Sequence, residues 1–265
     1  MSHSRPILIS VAQYAEDLQA SRRSVLDVIE AARRLGADGV ELRRETWPRR
    51  AREQEVARAL LAHYGLLVTY ATMATLFGSD EATIRDDIDT ARALGSPLVR
   101  LFAGPIPADD DHAAWETARR RIGYAAARGV TIALENYAGS PGGRVYEIRH
   151  VLDRCESRAL GTNIDIGNYA RHNEDVPTAI RVVGHRAVSA HLKDQTVVAD
   201  EPPTYLGGGT LPLTAILDEL DRLPQRLLLC FEFTGGDDPE GRIRQSLAYL
   251  RARAERHESS AASAR

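Results

Sequence analysis

The chain has 265 residues, 43% apolar and 27% charged, with Lys+Arg 34 against Asp+Glu 37 for a net charge of −3. That composition describes a globular protein rather than a disordered or collagen-like one, large enough to need no disulfide framework, and it offers no global basic field to nucleic acid. No apolar run nears the roughly 20 residues of a membrane helix. The N-terminus MSHSRPILIS lacks a secretory signal's cationic start and apolar stretch, and two cysteines, Cys155 and Cys230, suit a reducing compartment, so the expected location is the cytoplasm.

Short β-rich runs alternate with longer amphipathic ones. ILISVA (7–12) precedes SRRSVLDVIEAARRLGA, whose Val25, Leu26, Ile29, Ala32 and Leu35 form one helical stripe. The later β-rich runs are GVELR (39–43), LLVTYAT (66–72), PLVRLF (97–102), VTIALE (130–135), GTNIDI (161–166), AVSAHL (187–192) and RLLLCFEF (226–233). Gly36, Gly65, Gly95 and Gly129 stand where helices end before the next strand. A spacing of about 30 residues is the length of a βα unit, and eight such units predict a (β/α)8 TIM barrel of the α/β class. A doubly wound sheet is the other reading, but it would usually carry a glycine-rich phosphate loop after strand one. Here the chain reads VAQYAEDLQ, and neither GxGxxG nor GxxxxGK[ST] occurs. No composition shift marks a second domain: residues 1–255 read as one barrel and the polar residues 256–265 as a flexible tail.

Barrel strands alternate between the interior and the helix layer. In Thr131–Glu135 the branched residues Ile132 and Leu134 belong against the helices, which turns Thr131, Ala133 and Glu135 inward. The same alternation pairs Asn163 with Asp165, Ser189 with His191 and Lys193, and Cys230 with Glu232. Glu135, Asp165, His191 and Glu232 therefore converge at the C-terminal mouth, where barrel active sites are built. Three carboxylates and an imidazole in a low-dielectric mouth call for a counter-charge. One divalent metal ion supplies it: Mn2+ first, with Mg2+, Co2+ or Zn2+ as alternatives, and no thiolate to make a closed structural zinc site.

GADGVELR at strand two, LEN at 134–136, NIDIGN at 163–168, AHLKD at 190–194, LGGGTLPL at 206–213 and FEF at 231–233 resemble the xylose isomerase-like barrel superfamily over nearly the whole chain. The resemblance to its ketose 3-epimerases and inosose dehydratases implies a single divalent ion on Glu135, Asp165, His191 and Glu232. It also implies that Glu135 and Glu232 exchange protons with substrate carbon from opposite faces. A metal that polarises a carbonyl, with a carboxylate on each side of a planar enediolate, is consistent chemistry. The implied activity is isomerase or epimerase on a ketose, inosose or related sugar or polyol ketone; the alternative is a lyase of the inosose or 3-dehydroshikimate dehydratase type. Relatives of this kind often pair barrels, so a homodimer or homotetramer is expected.

Two departures stand out. The ketose epimerases carry histidine where this chain has Asn168, which can hydrogen-bond a hydroxyl but transfers no proton at neutral pH. They also carry Glu-x-x-Arg-Gly after the metal histidine, where this chain reads HLKDQTVV. The apurinic endonuclease branch needs further histidines that YATM, RLFAG and EPPTY do not supply, so no nucleic-acid partner and no membrane partner is expected.

Substrate contacts are assigned to Asn168, Lys193, Arg100 and Glu41. The blander readings are a barrel ion pair for Arg100, an ion pair with Glu232 for Lys193 and a solvated Glu41–Arg43 pair. Asn136 is assigned to ordering the mouth, and Asp194 either to orienting His191 or to capping the following loop. Tyr70, Phe77, Phe102 and Tyr137 form either an apolar wall or packing. Gly207–Gly209 reads as a flexible loop, His112, His150, His172 and His185 as solvated, and Cys230 as core.

Overall fold

The computed structural model describes residues 5–196 and 201–263. Its eight strands are β1 (Ile7–Ser10), β2 (Gly39–Arg43), β3 (Leu67–Thr75), β4 (Leu98–Phe102), β5 (Thr131–Glu135), β6 (Leu160–Asp165), β7 (Ala187–Leu192) and β8 (Leu228–Phe231). They pair in parallel and in chain order, and β1 closes on β8. The helices are α1 (Ala15–Gln19), α2 (Val25–Leu35), α3 (Arg50–Tyr64), α4 (Glu81–Leu94), α5 (His112–Ala127), α6 (Val145–Cys155), α7 (Ile166–Arg171), α8 (Val176–Val183), α9 (Leu213–Arg222) and α10 (Pro239–Ser263). The expected (β/α)8 barrel is the observed fold. The helix α10 continues through most of the segment read from sequence as a polar tail, and no helix among the described residues is long and apolar enough to cross a membrane.

Local chemistry sets the boundaries. Ser24 opens α2 with a reciprocal capping box to Asp27, and Gly36 closes it at φ 72°, a left-handed conformation that costs glycine little. Val25, Val28, Ile29, Ala32 and Leu35 of α2 are buried against the barrel, while Leu26 is only partly covered. The strand β1 stops at Ser10 rather than at 12 because the Ser10 side chain accepts from Ala12 N and caps a 3-10 turn over Val11–Tyr14. Likewise β6 ends at Asp165, whose carboxylate accepts from Asn168 N and caps α7, so Ile166 is already helical. The strand β8 ends at Phe231, and Glu232 follows it, its backbone N–H donating to Leu192 O at 3.0 Å.

Outward-facing Ile132, Leu134, Ile164, Ala190, Leu192 and Phe231 are fully buried under the helices. The register sets Glu135 beside Asn163, Asp165 beside His191, and His191 beside Cys230, so the inward side chains of β5 to β8 share one end of the barrel.

Candidate metal centre

Glu135, Asp165, His191 and Glu232 each offer a ligand atom within 4.8 Å of the others. The imidazole is the hub: its Nδ1 lies 3.0 Å from Glu135 Oε2, 3.3 Å from Glu232 Oε2 and 3.7 Å from Asp165 Oδ2. None of these contacts has hydrogen-bond geometry, and both His191 Nδ1 and Asp165 Oδ2 are buried without a hydrogen-bond partner. Buried polar atoms are nearly always satisfied. Two orphaned donor atoms, aimed at one point that two further carboxylates also face, fit a cation of the hard-to-borderline, O/N-liganded type.

The other edge of the ring is fixed. His191 Nε2 sits 2.7 Å from Glu41 Oε2, and Glu41 Oε1 accepts from Ser10 Oγ at 3.0 Å and Arg43 Nε at 3.1 Å. A proton held on Nε2 by Glu41 makes Nδ1, once it gives up its own proton, the nitrogen that presents a lone pair toward the carboxylates, the arrangement by which a carboxylate orients a metal-binding histidine. Cys230 also falls within 4.8 Å of Glu41 and His191 on this side, but Nε2 is already engaged and burial pushes the thiol well up, which keeps it protonated.

Asn163 Nδ2 donates to Glu135 Oε2 at 2.9 Å while Asn163 Oδ1 accepts from Ser189 Oγ at 2.7 Å, so polar residues one step deeper hold Glu135. Asn168 Nδ2 reaches Glu135 Oε1 at 3.4 Å. Asn136 bridges to the backbone of Asp165 in both directions at 2.8 Å, locking the ends of β5 and β6 together.

Counter-charges surround the carboxylates. Arg100 Nε lies 3.1 Å from Glu135 Oε2, Lys193 Nζ is 2.7 Å from Asp165 Oδ2 at an angle that makes no hydrogen bond, and Lys193 Nζ and Arg43 Nη2 each contact Glu232. Gly167 makes the Lys193 position feasible, since a Cβ there would stand 2.5 Å from Lys193 Cδ. The inference from sequence that these carboxylates need a metal for counter-charge is therefore corrected: the barrel supplies three basic side chains. The fit to a cation rests on the orphaned atoms instead.

The electrostatics follow from this packing. For Asp165, burial pushes upward, but the Lys193 ammonium and His191 outweigh it and hold the carboxyl below its ordinary range. Glu135 is lowered against burial by Arg100 and His191, and Glu41 well lowered against burial by His191 and Arg43. Burial alone would depress His191, yet Glu41 and Glu135 raise it to about 10.

Above the cluster opens a cavity of about 600 Å3 lined by Arg43, Arg100, Glu135, Asn168, Lys193 and Glu232, with Phe102, Tyr137, Phe233 and Met73 on its apolar side. Phe102 and Tyr137 stack at 4.9 Å, whereas Tyr70 packs beneath, its hydroxyl taken by Arg50, and Phe77 packs on Trp115. Two expected assignments are corrected. Glu41 was assigned to substrate, but it is 2% exposed, lies under His191 and does not line the cavity, because two further residues separate it from the end of β2. Arg43, at that end, lines it. Asp194 does not touch His191: it faces away from the barrel axis, accepts from the backbone N–H of Gln195, Gly207 and Leu211, and anchors the Gly207–Gly209 turn. Asn163 and Ser189 were given no role from sequence, and Arg43 was read only together with Glu41, although all three stand on the inward faces that the two-residue period defines.

The family model described as xylose isomerase-like TIM barrel matches residues 29–253. A search of curated proteins finds no match. Among solved structures, L-ribulose 3-epimerase superposes with a TM-score of 0.75 at 17% identity, covering 99% of each chain. The IolI protein, solved with a bound zinc atom, gives 0.76 at 13% identity over 92% of this chain and 95% of that one. The probable 3-DHS dehydratase AsbF from Bacillus anthracis gives 0.75 at 13% identity over 92% and 98%. At these identities the likeness is one of fold. The fit to a divalent cation here rests on the buried cluster itself.

Proposed function

Because the chain belongs to the xylose isomerase-like TIM barrel family, we propose that it is a divalent-metal-dependent isomerase or epimerase of a ketose, inosose or related polyol ketone. The observation that carries this reading is the pair of orphaned buried atoms, His191 Nδ1 and Asp165 Oδ2, facing Glu135 and Glu232 below an open cavity. Glu135, Asp165, His191 and Glu232 would hold the ion, Mn2+ first among the candidates, with Mg2+, Co2+ and Zn2+ also suited to the donor set. Such an ion supplies Lewis-acid polarisation of a carbonyl and its neighbouring hydroxyl, which acidifies the C–H between them.

The chain's own residues do the rest. Glu135 and Glu232 arrive from different strands and both line the cavity, so one takes a proton from substrate carbon and the other returns one. Arg100 and Asn163 hold Glu135 ionised and oriented, and Arg43 holds Glu232 from the side away from Lys193. Asn168 is placed to hydrogen-bond a substrate hydroxyl but not to shuttle a proton. Phe102 and Tyr137 offer an apolar face to a sugar ring.

Incubating the Mn2+-loaded protein with a panel of ketoses and inososes in D2O tests this directly. Deuterium enters at carbon adjacent to the carbonyl of the true substrate, with return of a rearranged sugar. Deuterium entry accompanied by loss of water reassigns the chain to the lyase class, and no exchange with any ketone contradicts the proposal.

A further inference from the structure

Charge arithmetic at the mouth narrows the substrate class, on the premise of the metal-dependent reading above. Glu41, Glu135, Asp165 and Glu232 bring four negative charges within one connected cluster, and Arg43, Arg100 and Lys193 bring three positive ones. A divalent cation held by these carboxylates and a neutral His191 imidazole leaves the cluster one positive charge in excess. Proton transfers between a bound substrate and Glu135 or Glu232 move charge within the site without altering its total. A neutral ketose therefore leaves the excess uncompensated at every step, in a region where burial makes uncompensated charge costly.

The geometry shows where a compensating anion would sit. Lys193 Nζ now occupies Asp165 Oδ2 and Glu232 Oε2, two of the atoms that face His191 Nδ1. Those oxygens cannot serve a cation and remain full partners of the ammonium. Lys193 lines the cavity on a stem that Gly167 leaves room for, so its head has open space to turn into. Arg100 also lines the cavity. Its Nη1 donates to Thr72 O at 2.7 Å and its Nε lies 3.1 Å from Glu135 Oε2 in an ion pair without hydrogen-bond geometry, while its Nη2 has no hydrogen-bond partner among the described residues.

We infer that the ketone substrate carries a single carboxylate, bound by Lys193 and Arg100 once a divalent cation has displaced the Lys193 ammonium from Asp165 and Glu232. One carboxylate cancels the excess charge; a phosphate dianion overshoots it.

Calorimetric titration of the Zn2+-loaded protein with matched ligands tests this. D-fructuronate is compared with D-fructose, glycolate with glycolamide, and D-fructose 6-phosphate serves as the dianion. Each carboxylate is expected to bind about tenfold or more tightly than its neutral partner, a difference of ~1.4 kcal/mol. In Lys193→Met that ratio falls toward one while Zn2+ itself binds more tightly, because no ammonium competes for the carboxylates. Failure of both carboxylates to outbind their neutral partners overturns the inference, as does tighter binding of the phosphate than of the uronate. Unchanged or weaker Zn2+ affinity in a folded Lys193→Met overturns the displacement. Should that variant not fold, the wild-type ratios still decide the substrate class. Zinc content measured beforehand separates the premise from the inference: a chain that takes up no metal fails the proposed function, and one that takes it up without preferring carboxylates fails only this inference.

Discussion

His191 and Glu41, 150 residues apart in the chain, meet across the barrel with Nε2 2.7 Å from Oε2, and both are at least 98% buried. This contact fixes which imidazole nitrogen carries the proton and thereby which one is free to ligate. Losing such a partner typically weakens metal affinity by about 10–100-fold. Glu41→Ala is expected to lose that much affinity for Mn2+ or Zn2+ in competition with a chromophoric chelator, and Glu41→Gln, which keeps an acceptor, less. Wild-type affinity in Glu41→Ala would show that Glu41 merely fills space.

Metal uptake should be coupled to a proton. An ordinary histidine titrates near 6.5, and in the metal-free protein His191 is raised to about 10 by Glu41 and Glu135 against the opposing effect of burial. Near pH 7.5 the ion must displace that proton, so about one proton is released per ion bound. Titration calorimetry in buffers of different ionisation enthalpy reads the number directly. The stability sign follows from a folded value above the unfolded one: the contribution is fully present below pH 6.5 and is lost as pH rises through about 10. Metal affinity should move oppositely, strengthening with pH across the same window. Proton release near zero at pH 7.5 contradicts a protonated His191.

Glu232 is the most accessible of the four cluster residues, with its side chain 12% exposed against 3% or less for the others. Glu232→Gln keeps one acceptor oxygen in place of the two that Arg43 and Lys193 share, so one of these contacts is lost, while the fold and much of the metal content, held by the other three residues, should persist. Exchange of substrate hydrogen with solvent deuterium should fall by about 10²-fold or more, the scale of a lost general base. Exchange at the wild-type rate would sink the two-glutamate scheme.

Much of this was readable because strands report their own faces. The two-residue alternation in Thr131–Glu135 and Ala187–Leu192 identifies inward positions without any knowledge of what lies opposite, and it brings Glu135, Asp165, His191 and Glu232 to one end. What alternation does not give is depth. Glu41 and Arg43 share a face, yet one is buried under His191 and the other, two positions further along β2, lines the cavity. Nor does local pattern report contacts across the barrel: the Arg43–Glu232 pair spans 189 residues and joins strands that are not neighbours. The pairings of Arg100 with Glu135 and of Lys193 with Glu232 join neighbouring strands and were legible as alternatives, whereas that of Arg43 with Glu232 was not. Asp194 was ambiguous from sequence for a related reason. Its partners, Gly207 and Leu211, lie in a loop whose path back onto β7 leaves no periodic signature.

The most direct test is metal analysis of the purified wild-type protein beside His191→Ala, each reconstituted with Mn2+ and freed of excess by gel filtration. About one divalent ion per wild-type chain, lost in a folded His191→Ala, is the expected result. No ion retained by either protein, or equal retention by both, would contradict a metal centre built on His191.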